Sequence, residues 1–232
     1  MLRLNLGCGR VIFPLERGAP SPYPAHLDPL PDICYEPGWI NVDRFSMSGV
    51  NEQIDLFAFP WLRSSNGSPW NDDAADAIYC SHLVEHVPHQ VRLARALPAR
   101  WHRLYDERVQ NLDGWFVFFA ECWRILKPDG LLYVRAPFAA SNAALSDPTH
   151  TRYVTPGTFS YLTGDNPDAP FDYHAPLKFE QAEPVLLRFT EGNAEIIQAM
   201  PHALAEKMIY RYFNVADEIR IVLRAVKGDR DG

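Results

Sequence analysis

Leu2-Arg-Leu-Asn-Leu-Gly7-Cys-Gly9-Arg10 opens the chain, and Gly38-Trp-Ile-Asn-Val-Asp43 follows after a proline-rich interval. A short apolar run ending in Gly-x-Gly reads as a strand followed by a turn where backbone can approach a ligand that a β-carbon would exclude. The second run ends in an isolated acid, and a carboxylate at the tip of a neighbouring strand can accept from both hydroxyls of a ribose. Together they describe the nucleotide-binding end of a parallel sheet. Gly-x-Gly by itself is a weak motif; the flanking runs give it weight.

Working outward, residues 2–6 and 39–43 form the first two strands. Asn51 to Leu56 makes a short third strand ending at Asp55, Asp76 to Ser81 a fourth and Leu131 to Ala136 a fifth. The interval 10–37 holds Pro14, Pro20, Pro22, Pro24, Pro29, Pro31 and Pro37, which would break any long helix. From Leu83 to about Trp123 the pattern is helical, interrupted near Pro88, Pro98 and Gly114. Trp115 to Leu126 spaces apolar residues three and four apart, as a helix lying on a sheet requires. Lys127-Pro-Asp-Gly130 should stop that helix. A polar, proline-rich segment covers 139–182. Val185 to Phe189 and Glu218 to Ala225 close the chain as strands, with a helical stretch from Ala203 to Phe213 between them. Strands separated by helical segments imply right-handed βαβ units.

The chain has 232 residues, 47% hydrophobic and 22% charged, ordinary values for one globular α/β domain with a sizeable core. A run of about 18–20 apolar residues, enough to span a bilayer, is missing from the sequence, and no signal-peptide pattern precedes the first strand. The four cysteines, Cys8, Cys34, Cys80 and Cys122, form no Cys-x-x-Cys pair; reduced thiols and a cytoplasmic location are expected. A net charge of −7 argues against a broad phosphate-backbone footprint, hence against nucleic acid.

Read in order, Leu4-Asn-Leu-Gly-Cys-Gly9, Gly38-Trp-Ile-Asn-Val-Asp43, Asp55-Leu56, Asp76-Ala-Ile-Tyr-Cys-Ser-His-Leu-Val-Glu-His86 and Glu121-Cys-Trp-Arg-Ile-Leu-Lys-Pro-Asp-Gly130 resemble the class I S-adenosylmethionine-dependent methyltransferases, in their small methyltransferase-domain branch. The resemblance implies an α/β, Rossmann-like, seven-stranded and mostly parallel sheet with helices on both faces and a C-terminal antiparallel strand pair. It implies a single methyltransferase domain over 1–232, with a Pro-rich insertion at 10–37, a helical insertion at 89–113 and a substrate-side segment at 139–182. It further implies S-adenosyl-L-methionine as cofactor and an oxygen or nitrogen of a small-molecule or glycan-like acceptor as the methylated atom. Leu6, Gly7, Cys8 and Gly9 would approach the cofactor's methionine part through backbone groups. Asp43, followed by Arg44, would take the ribose diol, while Asp55 and Leu56 would meet the adenine. Ser81 and His82 would line the floor under the methyl group. No membrane partner and no metal ligand is expected, and the oligomeric state stays open.

Two departures stand out. Ile12 occupies the place of a third glycine, which speaks against a dinucleotide site. Gly9 and Asp43 are 34 positions apart, whereas the dinucleotide pattern puts its acid about 20 residues on. The extra length is the Pro-rich segment, which reads either as a lid over the cofactor or as a peripheral loop.

Candidate catalytic groups are His82, His86 and His150. Imidazoles titrate near neutral pH, which also brings His89 into view, and His150 lies in Asp147-Pro-Thr-His-Thr-Arg-Tyr153, where loops of doubly wound folds hold substrate. Tyr153 and Phe159 read as packing residues. Arg92, Arg95, Arg100, Arg103 and Arg108 opposite Asp106 and Glu107 read as a solvated helix face or a dock for an anionic acceptor. Met208 to Phe213 reads as core packing or an aromatic contact surface. His82-Leu-Val-Glu-His86 also matches H-x-x-E-H, in which two histidines would hold zinc for hydrolysis; this is a remote alternative, because the motif follows a strand directly. A cofactor-binding module without catalysis is the other alternative.

Overall fold

A computed structural model describes residues 1–17, 30–91, 112–164 and 177–227. Its centre is an eight-stranded sheet. Strand β1 (Arg3–Leu6) lies between β2 (Trp39–Asp43) and β4 (Ala75–Ser81), and β3 (Glu52–Gln53) lies beyond β2, all parallel. Two short strands away from it, β5 (Gln90–Val91) and β6 (Leu112–Asp113), pair antiparallel. On the far side of β4 comes parallel β7 (Leu126–Pro137), then antiparallel β10 (Ala216–Ala225). The outer edge of β10 is shared by β8 (Phe179–Gln181), against its last residues, and β9 (Leu186–Phe189), against its first.

Seven strands are expected from sequence; the eighth, β8, arises because two short strands divide one edge. β8 lies within the segment read as polar and irregular. The expected antiparallel closing pair corresponds to β9 and β10. The chain leaves β1 toward β2 on one side and returns as β4 on the other. Such a reversal opens a crevice at the carboxyl ends of the strands.

Helix α1 (Gly114–Ile125) covers one face. Asp113 caps it by accepting from the Trp115 amide at 2.9 Å, and Trp115, Val117, Phe118, Phe119, Cys122 and Ile125 join Leu4, Leu6, Ile78 and Cys80 in the main core. Gly114 is needed there because a β-carbon would fall 2.1 Å from the Pro88 carbonyl oxygen. The expected stop at 127–130 becomes a bulge in β7: its pairing with β4 skips from Leu126 to Leu131 as Ala75 passes to Ala77. After β7 come α2 (Asn142–Leu145) and α3 (Pro156–Thr163), and between β9 and β10 α4 (Asn193–Gln198) and α5 (His202–Arg211).

The mostly parallel α/β sheet flanked by helices is as expected, and the face opposite α1 is lined differently. Among the described residues it is covered by irregular chain and a 3-10 turn, Asp32–Tyr35, which bury Phe13, Leu30 and Cys34 against Trp39 and Tyr79. Paired on β1 and β2, Asn5 and Asn41 satisfy that chain's backbone. Asn5 donates to the Val11 carbonyl, and Asn41 both accepts from the Phe13 amide and donates to its carbonyl, at 2.8–2.9 Å. Two buried amides thus supply bonds that a loop would otherwise leave unmade.

Three further expectations change. The helical reading from Leu83 gives way, as far as residue 91, to one 3-10 turn, Val84–His86, and to β5. His82 in the left-handed region (φ 51°) and Pro88 bracket that turn and prevent its growth into an α-helix. Phe159 packs in the core as expected, but Tyr153 is exposed. Tyr210, Tyr212 and Phe213 are exposed as well, and only Ile209 of that stretch is buried. The basic stretch from Arg92 to Arg108 lies outside the described residues, as do parts of the three expected insertions.

Candidate functional site

A cavity of about 540 Å³ opens at the carboxyl ends of β1 to β4, within the usual range for a small-molecule site. Gly7 and Gly9 enter from the turn after β1, Asp43 to Phe45 and Met47 from the end of β2, Ile54 to Phe57 from beyond β3. His82, Leu83 and His86 come from the end of β4, and Thr149 from the loop beyond β7. Gly7 (φ 63°) and Gly9 (φ 52°) both take a backbone shape that favours glycine, and a β-carbon on Gly9 would meet nothing within 4 Å. At Gly9 the backbone is therefore bare toward open space, whereas a β-carbon on Gly7 would press on Leu83 at 3.1 Å.

Asp43 ties the two halves of this wall together. One carboxylate oxygen accepts from the Gly9 amide at 2.8 Å and the other from the Phe45 amide at 3.0 Å. Each oxygen keeps a lone pair for a ligand hydroxyl. Asp55, exposed, accepts from the Phe57 amide at 3.1 Å in a turn just past β3, next to the apolar Ile54, Leu56 and Phe57. The cavity thus offers two carboxylates, a bare backbone and an apolar wall.

Of the residues picked from sequence, Gly7, Gly9, Asp43, Arg44, Asp55, Leu56, His82 and His86 line the cavity, while Leu6, Cys8 and Ser81 do not. Leu6 and Cys8 are buried in the core behind it, and the Ser81 hydroxyl is buried with no hydrogen-bond partner among the described residues. Phe45, Met47, Ile54, Phe57, Leu83 and Thr149 were not legible as lining residues. Phe45 and Phe57 follow strand-end acids by two positions, a signal that could have found them. His89 is exposed and lies off this cavity.

His82 sits between two buried carboxylates, with Nε2 3.1 Å from Glu218 and Nδ1 3.4 Å from Glu85. Burial alone would lower its pKa, but the hydrogen bond with Glu218 and the charges of Glu218 and Glu85 outweigh that and raise it to about 9. The two carboxylates thus favour the charged ring, which makes His82 a poorer proton acceptor than a free imidazole. Burial would raise Glu218, yet His82, Arg135 and Arg220 bring it down to about 2. Arg135 donates to it through Nε and Nη2 at 2.9–3.1 Å.

Behind the cavity, the loop carrying Thr149 and His150 is fixed to the Val84–His86 turn. The amides of Thr151 and Arg152 donate to the Glu85 carbonyl at 2.8 and 3.0 Å, and Arg152 also reaches the carbonyls of Val87 and Pro88. This brings the His86 and His150 rings to 4.7 Å, edge to face. His150 does not line the cavity itself.

No family model matches the chain, and no curated protein matches it. In structure it is similar to an S-adenosylmethionine-dependent methyltransferase from Archaeoglobus fulgidus, at 20% identity over 96% of this chain and 85% of that one, with a TM-score of 0.45. It is similar to another from Mesorhizobium loti, at 14% identity over 96% and 90%, TM-score 0.42. The [4+2]-cyclase SpnF is similar too, at 12% identity over 97% and 74%, TM-score 0.44. Identities this low leave the chemistry to be argued from the site itself.

Proposed function

We propose that the chain is an S-adenosyl-L-methionine-dependent methyltransferase acting on an oxygen or nitrogen of a small-molecule or glycan-like acceptor. One observation carries this reading: a bare glycine turn, a carboxylate at the tip of β2 and a second carboxylate beside an apolar wall past β3 surround one cavity of nucleoside size. In it Asp43 would accept from both ribose hydroxyls while holding the Gly9 turn in place. Leu56 and Phe57 would flank the adenine, with Asp55 accepting from its exocyclic amine. Gly7 and Gly9 would admit the amino-acid end through backbone groups.

The bound cofactor supplies an activated methyl group on a sulfonium, which departs to a nucleophile aligned behind it. What this chain must then do is orient the acceptor and handle its proton. With His82 held between Glu218 and Glu85, His86, on the cavity wall, and His150, edge to face behind it, are the better placed groups for that task. Thr149, from the segment 139–182, gives the acceptor side a polar edge. We place 10–37 and 89–113 in the same single domain; the described part of the first covers a sheet face, which supports a structural cover over a lid. Four free, buried thiols suit a cytoplasmic setting, and no helix among the described residues is long and apolar enough to cross a membrane.

Calorimetric titration with S-adenosylhomocysteine tests the reading. Saturable binding is expected, weakened about 10- to 100-fold in Asp43→Ala, the effect of losing hydrogen bonds to a charged acceptor. Absence of binding by the unaltered chain removes the proposal. Binding with no methyl transfer to any polar acceptor would favour the cofactor-binding module.

A further inference from the structure

The turn that puts His86 on the cavity wall also buries Glu85, which is 1% exposed and whose two carboxylate oxygens have no hydrogen-bond partner among the described residues. A buried carboxylate without hydrogen bonds is rare in folded proteins because burial without them is expensive. The ion-pair contact with His82 Nδ1 at 3.4 Å offers charge without a well-aligned bond.

His86 and His150 complete the picture through their outer hydrogen bonds. His86 Nδ1 faces the Thr149 carbonyl at 3.3 Å and the Thr149 hydroxyl at 3.0 Å, and that hydroxyl donates to Asp147 at 2.7 Å. Both Thr149 oxygens must then accept from the ring, so the proton is on His86 Nδ1. His150 Nδ1 faces the Ala144 carbonyl at 2.8 Å, which again can only accept. In both rings Nε2 is left as the nitrogen able to offer a lone pair, His150 Nε2 standing 3.8 Å from the Asp147 carboxylate, beyond hydrogen-bond distance. Histidines that ligate metals are oriented in this way, by donating the other ring N–H to an oxygen. Glu85, His86 and His150 each present one ligand atom, all within 4.8 Å of one another. Bonds of about 2.0–2.2 Å to a shared ion are within reach of side-chain rotation from there.

We propose that Glu85, His86 and His150 bind one divalent transition-type cation, of the class that takes two imidazoles and a carboxylate and keeps an open position. The cation would stand at the acceptor margin of the cavity, since His86 and the neighbouring Thr149 line it. The site differs from H-x-x-E-H: His82 is held by Glu218, and the second imidazole comes from His150 instead. It also departs from the sequence expectation of no metal ligand. Cation binding stands without the methyltransferase reading. Its use, binding an acceptor hydroxyl and easing loss of its proton to water, rests on that reading and would replace direct proton handling by His86 and His150.

Titrating the chelator-stripped full chain with cobalt(II), followed by visible absorption, tests the site. One equivalent per chain is expected, displaced by zinc(II). Glu85→Gln and His150→Ala should each weaken binding at least about 10-fold, while His202→Ala, an exposed histidine on α5, should leave it unchanged. Circular dichroism melts of each variant report whether it is folded. Loss of binding in His202→Ala, binding unaffected in both ligand variants, or no saturable binding at all overturns the proposal. S-adenosylhomocysteine titration of the same metal-free sample separates the outcomes, because it sinks or supports the cofactor reading whatever cobalt does.

Discussion

Glu121 and Glu85 are both buried glutamates beside the central strands, at opposite ends of the sheet. Glu121, on α1 near the amino ends of β4 and β7, is saturated. Its oxygens accept from Arg124 Nε and Nη2 at 2.8 Å and from the Trp61 amide at 3.1 Å. Arg124 Nη1 donates to the Trp70 carbonyl and Asp72 at 2.6–2.7 Å. The Glu85 carboxylate, at the carboxyl end of β4, has no hydrogen bond among the described residues. The first arrangement fixes how the chain turns from α1 and the 61–73 loop into the sheet. The second leaves carboxylate lone pairs without hydrogen bonds where the cavity opens, its charge facing His82 at 3.4 Å. Proteins that satisfy their polar groups nearly everywhere tend to break that rule where they bind or react.

The same substitution at both positions puts this contrast to the test. Glu121→Gln strips Arg124 of its main buried counter-charge and should destabilise the fold by about 3 kcal/mol, readable as a lower denaturant midpoint, with S-adenosylhomocysteine affinity unchanged in the folded fraction. Glu85→Gln removes a charge that has no hydrogen bond to lose. Its stability should change by no more than about 1 kcal/mol, since the charge it loses faces the partly exposed His82 ring at 3.4 Å rather than a hydrogen-bonded guanidinium. Equal losses at the two sites would mean that Glu85 is as structural as Glu121, and would undercut the cation site as well.

How far the sequence anticipated this contrast depends on how local each cause was. Trp39–Asp43 was legible to the residue because Gly38 and a terminal acid bound an apolar run, and Gly7, Gly9, Asp43 and Asp55 fell at strand ends that periodicity locates well. Glu121 and Arg124 were visible as one helical block, three residues apart, without a hint of their partners Trp61, Trp70 and Asp72, which come from distant loops. At the other end the letters of His82 to His86 were conspicuous, but their assignment to a helix start failed on the positive φ of His82. The joining of His86 to His150 depends on the Thr151 and Arg152 amides reaching the Glu85 carbonyl, a tertiary event with no period in the sequence. β8 was hidden for the same reason: a three-residue edge strand is defined by the neighbour it pairs with.

The smallest expected effect concerns the proton that distinguishes the two clusters. His82 is raised from an ordinary value of 6.5 to about 9 in the folded chain, so the stability it contributes is fully present below pH 6.5 and is lost as pH rises through 9. Glu218, lowered from 4.5 to about 2, works in the opposite sense. Its contribution is present above pH 4.5 and is lost as pH falls through 2. The His82 ring is 39% exposed, so solvent screening holds its share to about 1 kcal/mol or less. Denaturant midpoints should therefore decline between pH 6.5 and 9 in the unaltered chain and decline less in His82→Gln. Glu121→Gln should keep the full decline, because its cluster lies at the far end of the sheet. Parallel curves for the unaltered chain and His82→Gln would show that the imidazole is not held charged by Glu218 and Glu85, and would leave His82 as good a proton acceptor as a free imidazole.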